Sequence, residues 1–223
     1  KKIITHFDRL ANSYDHFKEK NYYYYDNLKE LYCYLIPNAK NKRILEIGCG
    51  TGALISYLKP KYGVGIDPSK NMIKIAMKNN KEIKFEVMSM ENIKINEMFD
   101  YILLADVIEH LSDIDEAIKN LNKFSSEDSV IILSMANPLW EPILLLAEKF
   151  GLKMPEGPHY RIGFKKLNRI LIKNDFKIIQ KGYRLLIPMK VPIIYHLNKF
   201  FYKIPFIRGL GLIEYYVIKK KTV

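Results

Sequence analysis

Apolar residues in the first 36 positions recur at helical spacing: Phe7, Leu10, Tyr14 and Phe17, then Leu28, Leu31 and Leu35. That period predicts two amphipathic helices, closed by Pro37. From Arg43 the pattern changes to short apolar runs separated by amphipathic stretches. The runs Arg43–Ile47, Tyr62–Ile66, Ile83–Met88, Tyr101–Ala105, Val130–Met135, Lys177–Leu186 and Leu212–Ile218 read as strands. Gly52–Leu58, Ser69–Lys78, Ile114–Lys123 and Lys165–Asn174 read as helices. This alternation predicts a doubly wound α/β domain, a mostly parallel sheet of seven strands with helices on both faces. Two stretches interrupt it. Four prolines (Pro138, Pro142, Pro155, Pro158) break 138–163 into short pieces, a cap between the fifth and sixth strands. A second insert, 188–209, separates the last two strands. A single domain is expected over 1–223, with a helical lid at 1–37, a ligand-binding core at 40–137 and a C-terminal helix and strands at 164–223.

Composition adds one asymmetry. At 223 residues, 48% apolar and 27% charged, the chain suits one folded domain rather than a disordered one. Of 36 basic residues, 16 fall in 151–223, where only 3 acidic ones stand against them. The first 150 residues are nearly balanced, so a nucleic-acid coat over the whole chain is excluded and a local basic surface is not. Cys33 and Cys49 have neither metal nor disulfide spacing and read as small buried thiols, in keeping with a reducing compartment. The first ten residues lack a signal-peptide core, and no uncharged apolar run approaches the ~18 residues that cross a bilayer. The expectation is a cytoplasmic protein that at most lies on the inner membrane surface.

The candidate chemistry begins at Ile44-Leu45-Glu46-Ile47-Gly48-Cys49-Gly50-Thr51-Gly52, a buried strand running through a glycine loop into a helix. In an open α/β sheet a ligand binds beyond the C-terminal end of such a strand. Glycines let it approach backbone closely. The spacing is G-x-G-x-G, not the G-x-G-x-x-G of dinucleotide sites, which disfavours a nicotinamide dehydrogenase. Asp67 follows the second strand, 21 residues after Glu46, and suits ribose hydroxyls of any adenosine. Glu46 would repel a pyrophosphate but suits a cationic group.

This stretch resembles motif I of class I S-adenosylmethionine-dependent methyltransferases. Gly65-Ile66-Asp67-Pro68-Ser69 through Met72 is similar to their second motif. Phe99-Asp100-Tyr101 through Asp106-Val107-Ile108-Glu109-His110-Leu111 is similar to their fourth-strand motif. The nearest group is the broad small-molecule set around ubiquinone and menaquinone methyltransferases. The resemblance implies a Rossmann-like fold whose last strand runs antiparallel. It also implies S-adenosylmethionine as cofactor, with S-adenosylhomocysteine as product. Glu46 would hold the loop and the cofactor's amino group, and Gly48, Cys49, Gly50 and Gly52 would let its methionine part lie on backbone. Asp67 would accept the ribose hydroxyls. Pro68, Met72, Ser89, Met90 and Ala105 would complete the pocket, with Ser89 where the family often has Asp. Tyr14 would cover the cofactor, an aromatic face beside a sulfonium. No metal is implied.

His110 and His159 are the candidate bases, since imidazole titrates near neutrality and each lies where the acceptor should bind. The run Tyr22–Tyr25 reads as a half-buried helix surface. Asn137-Pro138-Leu139-Trp140 imitates an amino-methyltransferase signature but follows the fifth strand rather than the fourth, so base or glutamine methylation is rejected. In Ile193–Arg208, Ile193, Leu197, Phe200 and Ile204 share one helical face and His196, Lys199 and Lys203 another, a pattern that suits an anionic membrane, a lipid-like substrate or a packed cover helix. The expected function is methyl transfer to an oxygen or nitrogen, less readily a carbon, of a small or lipid-linked acceptor. Its rivals are an RNA methyltransferase, favoured only by the basic tail, and a non-catalytic module binding the cofactor or a partner. The oligomeric state is not legible.

Overall fold

The computed structural model describes residues 2–188, 207 and 209–221. The helix expected over Ile193–Arg208, with its basic face, lies outside them apart from Ile207. Among the described residues seven strands form one sheet: β1 (Arg43–Ile47), β2 (Tyr62–Asp67), β3 (Lys84–Val87), β4 (Tyr101–Ala105), β5 (Val130–Ala136), β6 (Phe176–Arg184) and β7 (Ile213–Lys220). Their order is β3-β2-β1-β4-β5-β7-β6. Pairings from β3 through β5 are parallel, and β7 runs antiparallel to both β5 and β6. The expected fold class and the reversed last strand are therefore both found.

The short apolar runs are continuous because both faces of the sheet are covered. Alternate residues of a strand point to opposite faces. Leu45 and Ile47 of β1, with Ile102 and Leu104 of β4, pack with Ala117, Ile118 and Leu121 of α5 (Ile114–Leu121) and Leu167 and Leu171 of α7 (Phe164–Lys173). Ile44 and Leu103 face the other way, toward Leu28, Leu31 and Tyr32 of α2 (Tyr22–Leu35), Ile55 and Leu58 of α3 (Ala53–Leu58) and Ile73 and Ala76 of α4 (Lys70–Asn79). Glu46 shares the face of Ile44, which puts its carboxylate beneath α3. Chain direction switches sides at β1, which pairs with β2 on one edge and β4 on the other. That switch point opens the crevice in which α/β sheets bind ligands.

The N-terminal pattern resolves into α1 (Lys2–Lys20) and α2. Strand and helix boundaries shift by no more than two residues from the apolar pattern, because caps set the ends. Ser69 accepts the Met72 amide at 3.2 Å and starts α4 one residue later than its own position. Two expectations need correction. The segment 138–163 is not only short pieces, since it contains the nine-residue α6 (Glu141–Lys149). Pro142 sits in its first turn, where the missing N–H costs nothing, so the proline initiates the helix it was expected to break. Cys33 is exposed. The inward stripe of α2 is Leu28, Leu31 and Tyr32, and position 33 has rotated off it.

Gly52 shows why the loop needs glycine. Its φ is +77°, and a Cβ there would lie 2.5 Å from Cζ of Phe85. Gly52→Ala is therefore expected to cost ~1–2 kcal/mol for the left-handed backbone and ~1–3 kcal/mol for overpacking. A lower urea midpoint with an unchanged slope would register it.

Candidate functional site

β1 ends at Ile47, and the chain turns under β2: the amides of Gly48 and Cys49 both donate to the Ile66 carbonyl, at 2.8 and 3.0 Å. Gly48 and Gly50 have φ of +69° and +54°, so the turn suits glycine. At the end of β2, Asp67 spans the loop. One carboxylate oxygen accepts Gly50 N–H at 2.9 Å and the other Ser69 N–H at 2.8 Å. Burial raises its pKa against the pull of those two donors. Glu46 is buried, accepts Ile55 N–H at 3.0 Å, and is pushed up to about 8, first by burial. Two carboxylates thus flank a backbone cradle, each with acceptor capacity beyond the bonds it makes.

Helix α1 is tied onto this cradle by acidic side chains. Asp8 accepts the Ser69 hydroxyl at 2.5 Å and Asn71 N–H at 3.1 Å, which holds its carboxyl below the usual range. Asp15 accepts the Thr51 hydroxyl at 2.7 Å. The His6 ring meets the Pro155 carbonyl at 2.9 Å, joining α1 to the cap segment. These bonds bring Tyr14 over Gly50, whose Cβ position would lie 3.3 Å from the ring. Beside it the tyrosine run is more than a half-buried helix surface, since Tyr22 to Tyr25 all border the same cavity. Tyr24 donates to Asp106 Oδ2 at 2.8 Å.

Asp106, just after β4, is a non-glycine residue at φ +55°. Strain of that kind costs about 1–3 kcal/mol and persists where surroundings enforce it. Here Tyr24 and the Ser134 hydroxyl, the latter at 3.3 Å, hold the carboxylate. Next come Glu109, buried and raised by burial and by Asp106, and His110, half-buried. His110 Nδ1 faces the Pro158 carbonyl at 3.3 Å. A carbonyl can only accept, so that bond makes Nδ1 the protonated nitrogen and leaves Nε2 its lone pair. Burial lowers this imidazole to about 4.

The two candidate bases come together, with ring centroids 6.4 Å apart, but only one borders the cavity. His159 has both nitrogens engaged, Nδ1 with the Gly157 carbonyl at 2.9 Å and Nε2 with Glu141 at 2.8 Å. It belongs to an ion network centred on Arg161, which contacts Glu141, Glu156 at 2.8 Å and Glu109 at 3.4 Å. With Tyr160 N–H on the Glu109 carbonyl at 2.7 Å, this network fastens the cap segment to the end of β4. The fourth-strand motif included Asp106, but nothing in the sequence announced its contact with Tyr24 or the Arg161 network, since those partners lie on other elements.

The cavity has a volume of about 920 Å³, toward the upper end for small-molecule sites. Of the predicted cofactor residues, Tyr14, Glu46, Gly48, Cys49, Gly50, Asp67, Pro68, Met72, Ser89, Met90 and Ala105 border it. Gly52 does not, and stands behind the loop against Phe85. Trp140, Ile143, Leu144 and Leu152 give the cavity an apolar stretch of wall. Among the described residues, no three His, Cys, Asp or Glu side chains are grouped to hold a metal ion. The Asn137 amide is spent on the Gly209 and Gly211 carbonyls, at 3.0 and 2.9 Å, and Trp140 Nε1 on Leu210 at 2.7 Å. Those bonds clamp the 209–211 loop against the end of β5. No helix among the described residues is long and apolar enough to cross a membrane.

A family model described as a methyltransferase domain matches residues 14–181. The ubiquinone biosynthesis O-methyltransferase of Pelagibacter ubique is 34% identical over 130 residues, 54% of this chain and 54% of that one. The chain spans about half the length of the curated relatives it matches. Its fold is similar to an S-adenosylmethionine-dependent methyltransferase of Thermotoga maritima, with a TM-score of 0.74 at 20% identity, covering 97% of this chain and 98% of that one. It is also similar to magnesium protoporphyrin IX methyltransferase of Synechocystis, crystallised with S-adenosylhomocysteine, with a TM-score of 0.59 at 17% identity, covering 92% and 83%. Matched over most of its length, the chain belongs to the methyltransferase domain family and has the doubly wound fold of S-adenosylmethionine-dependent methyltransferases.

Proposed function

We propose that the chain transfers a methyl group from S-adenosylmethionine to an oxygen or nitrogen of a small, largely apolar acceptor. The observation that carries this is the pair of cavity carboxylates, Asp67 and Glu46, flanking a glycine backbone cradle. The donor supplies an electrophilic methyl group, so the protein's own work is to orient the acceptor, exclude water and take up a proton. Asp67 would receive the ribose hydroxyls, while Glu46 would face the amino group. Met72, Ser89 and Met90 would border the adenine. The acceptor would lie against Trp140, Ile143, Leu144 and Leu152. A hydroxyl acceptor, such as the name of the relative from Pelagibacter ubique suggests, would pass its proton to Nε2 of His110. A lipid-linked acceptor is compatible with the apolar wall. Product mass after incubating a metabolite pool with isotopically labelled cofactor would identify the acceptor; no transfer to any acceptor would leave a binding module.

Glu46 makes the cofactor reading testable without an acceptor. Its carboxyl is raised to about 8, so at pH 7 it is mostly protonated. A cationic amino group beside it favours the ionised form and lowers that value. Binding at pH 7 should therefore release protons from Glu46. Calorimetry in buffers of differing ionisation enthalpy reads this directly, and Glu46→Gln should abolish it.

A further inference from the structure

Lys18, near the end of α1, turns its side chain to the cavity, with its ammonium 4.5 Å from the Tyr14 ring centroid and 4.9 Å from that of Tyr25. Among the described residues Lys18 makes no hydrogen bond or ion pair. Its charge acts on Glu46, Asp67 and Asp106 from a distance, favouring their ionised forms. Two π faces match an ammonium poorly, because an ammonium has three protons to place and Lys18 sets none of them on an acceptor among the described residues. They match a cation without N–H groups well, and a sulfonium is such a cation.

We propose that Tyr14 and Tyr25 form a cation subsite for which the Lys18 ammonium and the donor's sulfonium compete. This rests on the reading that S-adenosylmethionine is the donor. Both ligands must move Lys18 aside, but only the cationic donor is then repelled by it. Only the donor also gains from the two ring faces. Once the methyl group has left, the sulfur is neutral and loses that gain, and Lys18 returns to the ring faces as the product leaves. Lys18 therefore narrows the preference for donor over product and helps product leave.

Calorimetry with S-adenosylmethionine and S-adenosylhomocysteine, on wild type, Lys18→Met, Tyr25→Leu and Tyr25→Phe, tests this. Lys18→Met should raise the ratio of donor to product affinity about three- to tenfold. Tyr25→Leu should lower the ratio by a similar factor, and Tyr25→Phe, which keeps the face, should leave it near wild type. Equal weakening of both ligands in Lys18→Met would mean that the ammonium holds a group common to both, such as the carboxylate, and would overturn the proposal. So would an unchanged ratio. Wild-type protein silent to both ligands is a different result, which removes the donor reading itself.

Discussion

Asp67→Ala is expected to weaken S-adenosylmethionine binding by ~1–3 kcal/mol, roughly 5- to 150-fold, in calorimetry. The carboxylate does two jobs at once. Its oxygens accept Gly50 and Ser69 amides at 2.9 and 2.8 Å, and so join the glycine loop to the cap of α4. Its remaining lone pairs are what the ribose hydroxyls would meet. Alanine leaves two amides without their acceptor and the ribose without a charged partner. Asp67→Asn is nearly as poor a substitute, because its NH₂ would face one of those amides, donor against donor. NAD should give no heat with either protein. Wild-type affinity in Asp67→Ala would remove the cofactor site from this loop.

His110→Ala should cut turnover of a hydroxyl acceptor by ~10²–10⁴ while cofactor affinity stays nearly unchanged. His159→Ala should do the reverse, lowering thermal stability with a modest effect on turnover. The contrast follows from hydrogen-bond accounting: His159 spends both nitrogens on Gly157 and Glu141, whereas His110 keeps Nε2 for the cavity. The pH dependence has a definite sign. An imidazole lowered to about 4 is neutral at pH 7, so its base form is lost only as pH falls through about 4. Folding linkage runs the same way, because the unfolded chain binds that proton more readily. The contribution of His110 to stability is whole above pH ~6.5 and declines from there toward pH 4. Unchanged rates in His110→Ala would mean that the acceptor is already a sufficient nucleophile.

Much of the glycine loop's structure was legible because it is local. Ile44 to Gly52 is one strand, one turn and one helix start, and each residue's requirement is set by neighbours in sequence. Asp67 and Ser69 were legible for the same reason, at the end of a strand that pairs directly with β1. The tyrosine run was not, since helical spacing cannot say whether a half-buried face meets a core or a cavity. Tyr24 became part of the site only because Asp106, 82 residues away, turns toward it at φ +55°. Pro142 was misjudged because a proline breaks a helix in its interior and opens one at its first turn, and composition does not tell the two apart.

By itself the sequence determined the sheet, the order of its elements along the chain and the glycine turn after β1. Those follow from periodicity, glycine placement and caps, all of which act over a few residues. The tertiary structure alone decided which histidine borders the cavity, which tyrosines enclose the Lys18 ammonium, and that Arg161 ties the cap segment to Glu109 just after β4. A polar side chain's role is set by the partners that satisfy it. Those partners are brought from distant elements by the burial of apolar faces, which specifies where an element packs but not which polar groups meet there.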